Sequence, residues 1–260
     1  MKYTYENVKE MIGGRDVYIY AVNLEGMGVY KLFSRLGHNI KGFIDSRKFD
    51  KNKRFGLPII NPDDFFKDYN HDKFIIIATK HRNTKKMILE LFEKLNIQKN
   101  VDFIIATELT DYLPTIEVVG SCNLKCISCE MGLPQATNKG FMSVENYKKV
   151  LTKMTQEIPF MNSVCLYLWG EPFMHPNLAE IIKISSEMGV ATDISSNLNY
   201  DRHLEDIVKA NPDMLTVPCS GIGKNYEITH TKGKWETFKK NLYKLREYID
   251  KYDVDLPIRV

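Results

Sequence analysis

The chain has 260 residues, 43% of them hydrophobic and 27% charged, which is enough apolar material for one large or two modest domains and argues against disorder. A net charge of only +3, spread over lysine-rich stretches such as "KKVLTKM" and "KKNLYKL", gives no reason to expect a nucleic-acid partner. No apolar run reaches membrane-spanning length, and the start "MKYTYENVKEMIGG" lacks the apolar core of a signal peptide, so a cytoplasmic protein without a membrane partner is expected.

In chain order, "DVYIYAV" (16–22) reads as a strand, followed by a helix through "GVYKLFSRLG" and a second strand at "NIKGFID" (39–45). "NPDDFFKDY" opens with an Asn-Pro helix start, and "KFIIIAT" (73–79) is apolar throughout, as a strand buried on both faces would be. A helix at about 83–96 and the strand "VDFIIA" complete the series. This alternation predicts an α/β domain over 1–108 with a Rossmann-like parallel sheet.

A dinucleotide fingerprint would need glycines where Ala21, Asn23 and Gly26 stand, with an acid at Asp45. A side chain at Asn23 blocks close approach of a pyrophosphate, which argues against NAD. A nucleotide-sugar or a protein partner at the same crevice, or a purely structural domain, remain as readings. Asp45 reads first as a turn acid at a strand end.

Residues 109–114 read as a linker, and 115–260 as a second domain. Its strands are "TIEVVG" (115–120), "SVCLYLW" (163–169), "VATDISS" (190–196), "MLTVPCS" (214–220) and the start of a fifth, "LPIRV" (256–260). Helices are expected at about 143–157, 177–188, 201–210 and 234–252. Each strand ends in a polar loop, and parallel α/β folds bind ligands at such carboxyl ends.

The first of these loops, "SCNLKCISC", sets Cys122, Cys126 and Cys129 in the pattern C-x3-C-x2-C. In a reducing compartment, clustered thiols are metal ligands or catalytic groups more often than disulfides. Zinc would want a fourth ligand, and His175 is the candidate. The other reading is an iron–sulfur cluster held by three thiolates, with one iron left open to a small molecule. Cys165 and Cys219 stand apart in apolar runs and read as small core residues.

"CNLKCISC" after a strand resembles the signature of the radical S-adenosylmethionine superfamily. "WGEPFMHPNL" (169–178) is similar to that family's Gly-Gly-Glu-Pro motif, with Trp169 in place of the first glycine, and "SSN" (195–197) stands where similar proteins carry a Ser-Asn or Thr-Asn pair. "KGFMSVENYKKVLTKM" (139–154) and "YEITHTKGKWETFKKNLYKL" (226–245) look like segments of the SPASM-type branch, whose members modify peptides and sugars.

The resemblance implies a partial (β/α) barrel with a [4Fe–4S] cluster on Cys122, Cys126 and Cys129. It implies S-adenosyl-L-methionine seated by Gly170, Glu171 and Pro172, with Ser196, Asn197 and Ser220 toward its ribose or carboxylate. It further implies a small sugar-like or peptide substrate and an electron donor such as flavodoxin or ferredoxin. Ser128 replaces a residue that is often aromatic near the adenine, so Met131 or Phe173 is expected to stack there. The family's barrel normally closes with a sixth strand, and the fifth predicted here runs to Val260, so the sequence is expected to be a piece of a longer enzyme. The rival reading is a zinc- or cluster-bearing scaffold without catalysis.

Overall fold

The computed structural model describes residues 3–49, 51–110, 112–136 and 139–260, and Asp111 of the expected linker lies outside them. The chain divides into two compact units, one of residues 1–112, 155–162 and 188–191, the other of 113–154, 163–187 and 192–260.

The first unit opens with helix α1 (Tyr5–Ile12), capped by Thr4, whose hydroxyl accepts the N–H of Asn7 while the Asn7 side chain accepts the N–H of Thr4. Strands β1 (Asp16–Tyr20), β2 (Ile40–Ile44), β3 (Lys53–Arg54), β4 (Leu57–Ile60), β5 (Lys73–Ile77) and β6 (Phe103–Ile105) form one sheet in the order β3-β4-β2-β1-β5-β6. All its pairings are parallel except that of the edge strand β3 with β4. Helices α2 (Leu24–Arg35), α3 (Pro62–Phe66) and α4 (Arg82–Lys94) make the connections.

The burial of β5 on both faces agrees with its unbroken apolar run, since Phe74 through Ile77 are fully buried. The two apolar clusters divide the residues of β5 by parity, Phe74 and Ile76 in one, Ile75 and Ile77 in the other. A doubly wound sheet of this order reverses direction between β1 and β5.

At that switch, Asn23 caps α2 with its own side chain, accepting the N–H of Gly26 at 2.9 Å and donating to the Ala78 carbonyl at 3.0 Å. The helix start that would face a pyrophosphate is thus filled by protein. Gly26 has to be glycine, because a Cβ there would overlap the Ala21 carbonyl oxygen. Asp45 turns inward as a strand-end acid: it accepts the Val22 N–H at 2.8 Å and pairs with Arg47 at 2.7 Å. Burial opposes its charge, but the hydrogen bonds from Arg47 and Val22 outweigh that and hold its carboxyl below the usual range. The chain after β6 forms a short helix, α5 (Ala106–Leu109), where the strand was expected to run on to Ala106.

The second unit alternates β7 (Ser163–Cys165), β8 (Ala191–Ser195), β9 (Met214–Thr216) and β10 (Ile258–Arg259) with helices α6 (Val144–Glu157), α7 (Leu178–Glu187), α8 (Leu204–Ala210), α9 (Lys224–Thr229) and α10 (Trp235–Tyr252). The strands lie side by side in chain order, β7-β8-β9-β10, as in a partial (β/α) barrel. Val164, Leu166, Ile194, Leu215 and Val217 are fully buried, and the residues alternating with them are mostly polar.

The expected strand at 115–120 is only partly realised. Cys165 bonds through its N–H to the Pro114 carbonyl and through its carbonyl to the Ile116 N–H, a single parallel bridge beside β7. Beyond it, Val118 and Gly120 turn their backbone to Met142, Lys139 and Gly140 instead. That antiparallel partner competes for the hydrogen bonds a longer strand would need.

Candidate functional site

The cysteine loop is held from both sides. Lys125 donates its N–H to the Thr231 carbonyl at 2.8 Å, and Lys125 Nζ reaches the Met131 carbonyl at 2.7 Å. A tight turn from Cys126 to Cys129 leads into a 3-10 turn at Glu130–Gly132. All three thiols are free and half-buried. Burial, followed by the nearby Glu171 and the other two cysteines, pushes the Cys122 thiol up to about 11 against a smaller opposing pull from the Leu124 N–H. Thiols clustered this closely, with burial opposing the charge of Cys122 and Cys126, are a donor set suited to a positively charged partner.

Among the described residues, no group of three or more His, Cys, Asp or Glu side chains is gathered to hold a single ion. His175, the expected fourth ligand for zinc, is 2% exposed and fully engaged: Nδ1 accepts the Asn177 N–H at 3.0 Å and Nε2 faces the Met142 carbonyl at 2.8 Å. Neither ring nitrogen is left for a metal. The remaining donor set is sulfur alone, which suits an iron–sulfur cluster. Beside it, Ser121 Oγ is buried and unpartnered.

The loop after β7 brings the second motif to these thiols. Gly170 sits where a Cβ would overlap the Val119 carbonyl oxygen, so only glycine lets the two strand ends come together. Its N–H and that of Trp169 both donate to Glu117 Oε1, at 2.9 and 2.7 Å. Glu171 is 3% exposed and turns inward. Its Oε1 accepts the Phe173 N–H at 3.0 Å, its Oε2 accepts the Asn197 N–H at 2.8 Å, and its own N–H donates to the Ser121 carbonyl at 2.8 Å. Burial pushes its carboxyl up to about 7, with hydrogen bonds from Asn197, Ser196 and Phe173 pulling the other way. Pro172 is buried at the start of a 3-10 turn.

Asn197 joins the two loops. Its Nδ2 donates to Asn123 Oδ1 at 3.0 Å and lies 3.7 Å from Cys122 Sγ. Ser196 is 1% exposed, and its hydroxyl accepts the Leu198 N–H at 3.1 Å. Ser220 is exposed, and its carbonyl accepts the Thr229 hydroxyl at 3.1 Å. Phe173 is 1% exposed and offers no face for stacking, whereas Met131 is half-buried and lines a cavity of about 140 Å³ with Glu117, Gly120, Lys139 and Trp169.

Three residues escaped the reading of the sequence. Glu117 looks locally like any polar position of a strand. Asn199 donates to Tyr226 Oη at 2.7 Å, and Tyr226 Oη donates in turn to the Asn197 carbonyl at 3.1 Å, so the loop after β8 is pinned by α9. No spacing rule ties residues of different loops in this way.

A family model described as the radical SAM superfamily matches residues 116–256. No curated protein matches. Among solved structures, BtrN in complex with AdoMet and 2-DOIA is 16% identical over 56% of this chain and 55% of that one, with a TM-score of 0.40. The anSMEcpe structure with bound AdoMet is 15% identical over 56% and 41%, with a TM-score of 0.44. SuiB of Streptococcus suis bound to the precursor peptide SuiA is 15% identical over 89% and 43%, also at 0.44. The chain thus spans between two fifths and three fifths of the length of these structures. No helix among the described residues is long and apolar enough to cross a membrane.

Proposed function

Since the chain belongs to the radical SAM superfamily, we propose that it is the cofactor-cleaving core of an enzyme that acts on a small sugar-like or peptide substrate. The family's cofactors are a [4Fe–4S] cluster and S-adenosyl-L-methionine. When bound, they supply an electron-driven cleavage to methionine and a 5′-deoxyadenosyl radical that takes hydrogen from a substrate. Cys122, Cys126 and Cys129 would hold the cluster and leave one iron for the sulfonium ligand. Gly170 opens room at the strand ends, and the backbone carbonyls there give an ammonium its acceptors. Asn197 and Ser196, beside Cys122 and Glu171, would serve the ligand's ribose or carboxylate, with exposed Ser220 as a further candidate. An external one-electron donor such as flavodoxin or ferredoxin would reduce the cluster.

One observation carries this reading: the Asn197 amide lies against the Cys122 thiol, 75 residues away in sequence, while its backbone is bonded to Glu171. Three separate motifs therefore meet at one point. The likeness of 139–154 and 226–245 to the SPASM-type branch supports a peptide or sugar substrate, and the doubly wound first unit is read as an accessory Rossmann-like domain.

The test is anaerobic reconstitution with iron and sulfide, followed by dithionite and S-adenosylmethionine. Release of 5′-deoxyadenosine that depends on all three cysteines is expected. A chain that takes up iron yet never cleaves the cofactor would be a scaffold.

A further inference from the structure

Facing away from the buried apolar residues of β7 to β10 is a second polar group, well apart from the cysteines in sequence. Asp193, in the middle of β8, is 5% exposed, and its Oδ1 is buried with no hydrogen-bond partner. Among the described residues, its Oδ2 meets two weakly placed neutral donors, Cys165 Sγ of β7 at 3.8 Å and Tyr167 Oη just beyond that strand at 3.5 Å. On the other side, Thr216 is paired in register with Arg259, and its Oγ1 accepts from Arg259 Nη2 at 2.8 Å and Nε at 3.2 Å.

Arg259 is the cation whose field reaches both Asp193 and Tyr167. Two of its nitrogens, Nε and Nη2, nevertheless donate to a neutral hydroxyl, and among the described residues no cation pairs with Asp193. Burial raises the Asp193 carboxyl pKa, and the field of Arg259 only partly offsets it. A carboxylate this deep without a counter-charge is costly to keep, and protein interiors leave few such groups unsatisfied.

We propose that Asp193 is the anchor for a protonated amine of the substrate, taken through the unpartnered Oδ1, with Tyr167 and the Thr216–Arg259 pair bordering it. The proposal rests on the chain being the cofactor-cleaving core described above and narrows its substrate to an amine-bearing molecule. An anionic group is repelled by Asp193, and an apolar one leaves Oδ1 unsatisfied. An amino sugar and a peptide amine present the same ammonium.

The chain reconstituted with iron and sulfide and loaded with S-adenosylmethionine is titrated anaerobically with two matched pairs: glucosamine against glucose, and alaninamide against propanamide. In at least one pair the amine binds about tenfold or more tightly than its neutral analogue, as a charge-assisted hydrogen bond gained on binding requires. The pair with the tighter amine tells an amino sugar from a peptide. Asp193→Asn removes the difference and leaves iron content and S-adenosylmethionine affinity unchanged, while Cys165→Ala keeps it.

Amines that bind no better than their neutral analogues, or no binding by any of the four probes, overturn the proposal. So does loss of S-adenosylmethionine binding in Asp193→Asn, which would place the carboxylate in the cofactor's own site. If Asp193→Asn does not fold, the comparison within pairs on the unaltered chain decides alone. A chain that holds neither iron nor S-adenosylmethionine counts against the core reading, whereas a loaded chain indifferent to amines counts against this one.

Discussion

Glu171 Oε2 accepts the backbone N–H of Asn197 at 2.8 Å, so the carboxylate after β7 bonds the loop after β8. The same group holds its own turn through Phe173. Its place inside the protein makes it an organiser of the rim, with both oxygens engaged by backbone.

Removing that carboxylate leaves two N–H groups without their acceptor. Glu171→Ala is expected to cost about 2–4 kcal/mol of stability, read as a lower midpoint in urea unfolding. Glu171→Gln keeps one carbonyl oxygen and should fall between. Both variants should also weaken S-adenosylmethionine binding, measured by equilibrium dialysis, because Asn197 loses its tether. An unchanged midpoint in the alanine variant would show that the two amides find other acceptors.

Gly170→Ala places a methyl group against the Val119 carbonyl oxygen, and backbone must move to admit it. The expected result is poor iron retention, measured by iron and sulfide analysis, with the fold of the first unit intact by circular dichroism. Normal cluster content would mean that the strand ends can separate without harm.

The five cysteines divide by place. Alanine at Cys122, Cys126 or Cys129 is expected to abolish the visible absorption of a reconstituted cluster, whereas Cys165→Ala and Cys219→Ala keep it. The latter two thiols contact Asp193 Oδ2 and the Gly221 carbonyl, respectively. Equal loss of colour at Cys165 or Cys219 would redraw the ligand set.

Glu25, in the first turn of α2, is buried, with Oε2 lacking a partner. Burial pushes its carboxyl up to about 7, although Lys80 and Lys85 pull it down. A carboxyl whose pKa is raised in the folded state stabilises the fold below the unfolded value near 4.5, and that contribution is lost as pH rises through about 7. Glu25→Gln should therefore flatten the fall in stability between those pH values and gain up to about 3 kcal/mol above pH 7. Chemical denaturation at several pH values reads this directly, and a variant with an unchanged pH slope would contradict it.

The sequence by itself determined the cysteine trio, the alternation of strands and helices, and the placement of polar loops at strand ends. Spacing and periodicity record what neighbouring residues must do together, and those features are local. Asn23 also belonged there, since a side chain at a glycine position is visible without a fold.

Only the tertiary structure decided which way the polar groups turn. Glu171 was expected to face a ligand's ammonium, and its oxygens are instead engaged by the N–H groups of Phe173 and Asn197. His175 lost its candidacy for zinc to the Met142 carbonyl and the Asn177 amide. Cys165 is buried as its apolar run predicts, with Asp193 of β8 beside it, whereas Cys219, read as a core residue in the same way, is only half-buried. Each of these outcomes depends on strand order, which brings residues tens of positions apart within hydrogen-bonding reach, and buried polar groups then take whichever partner the sheet supplies.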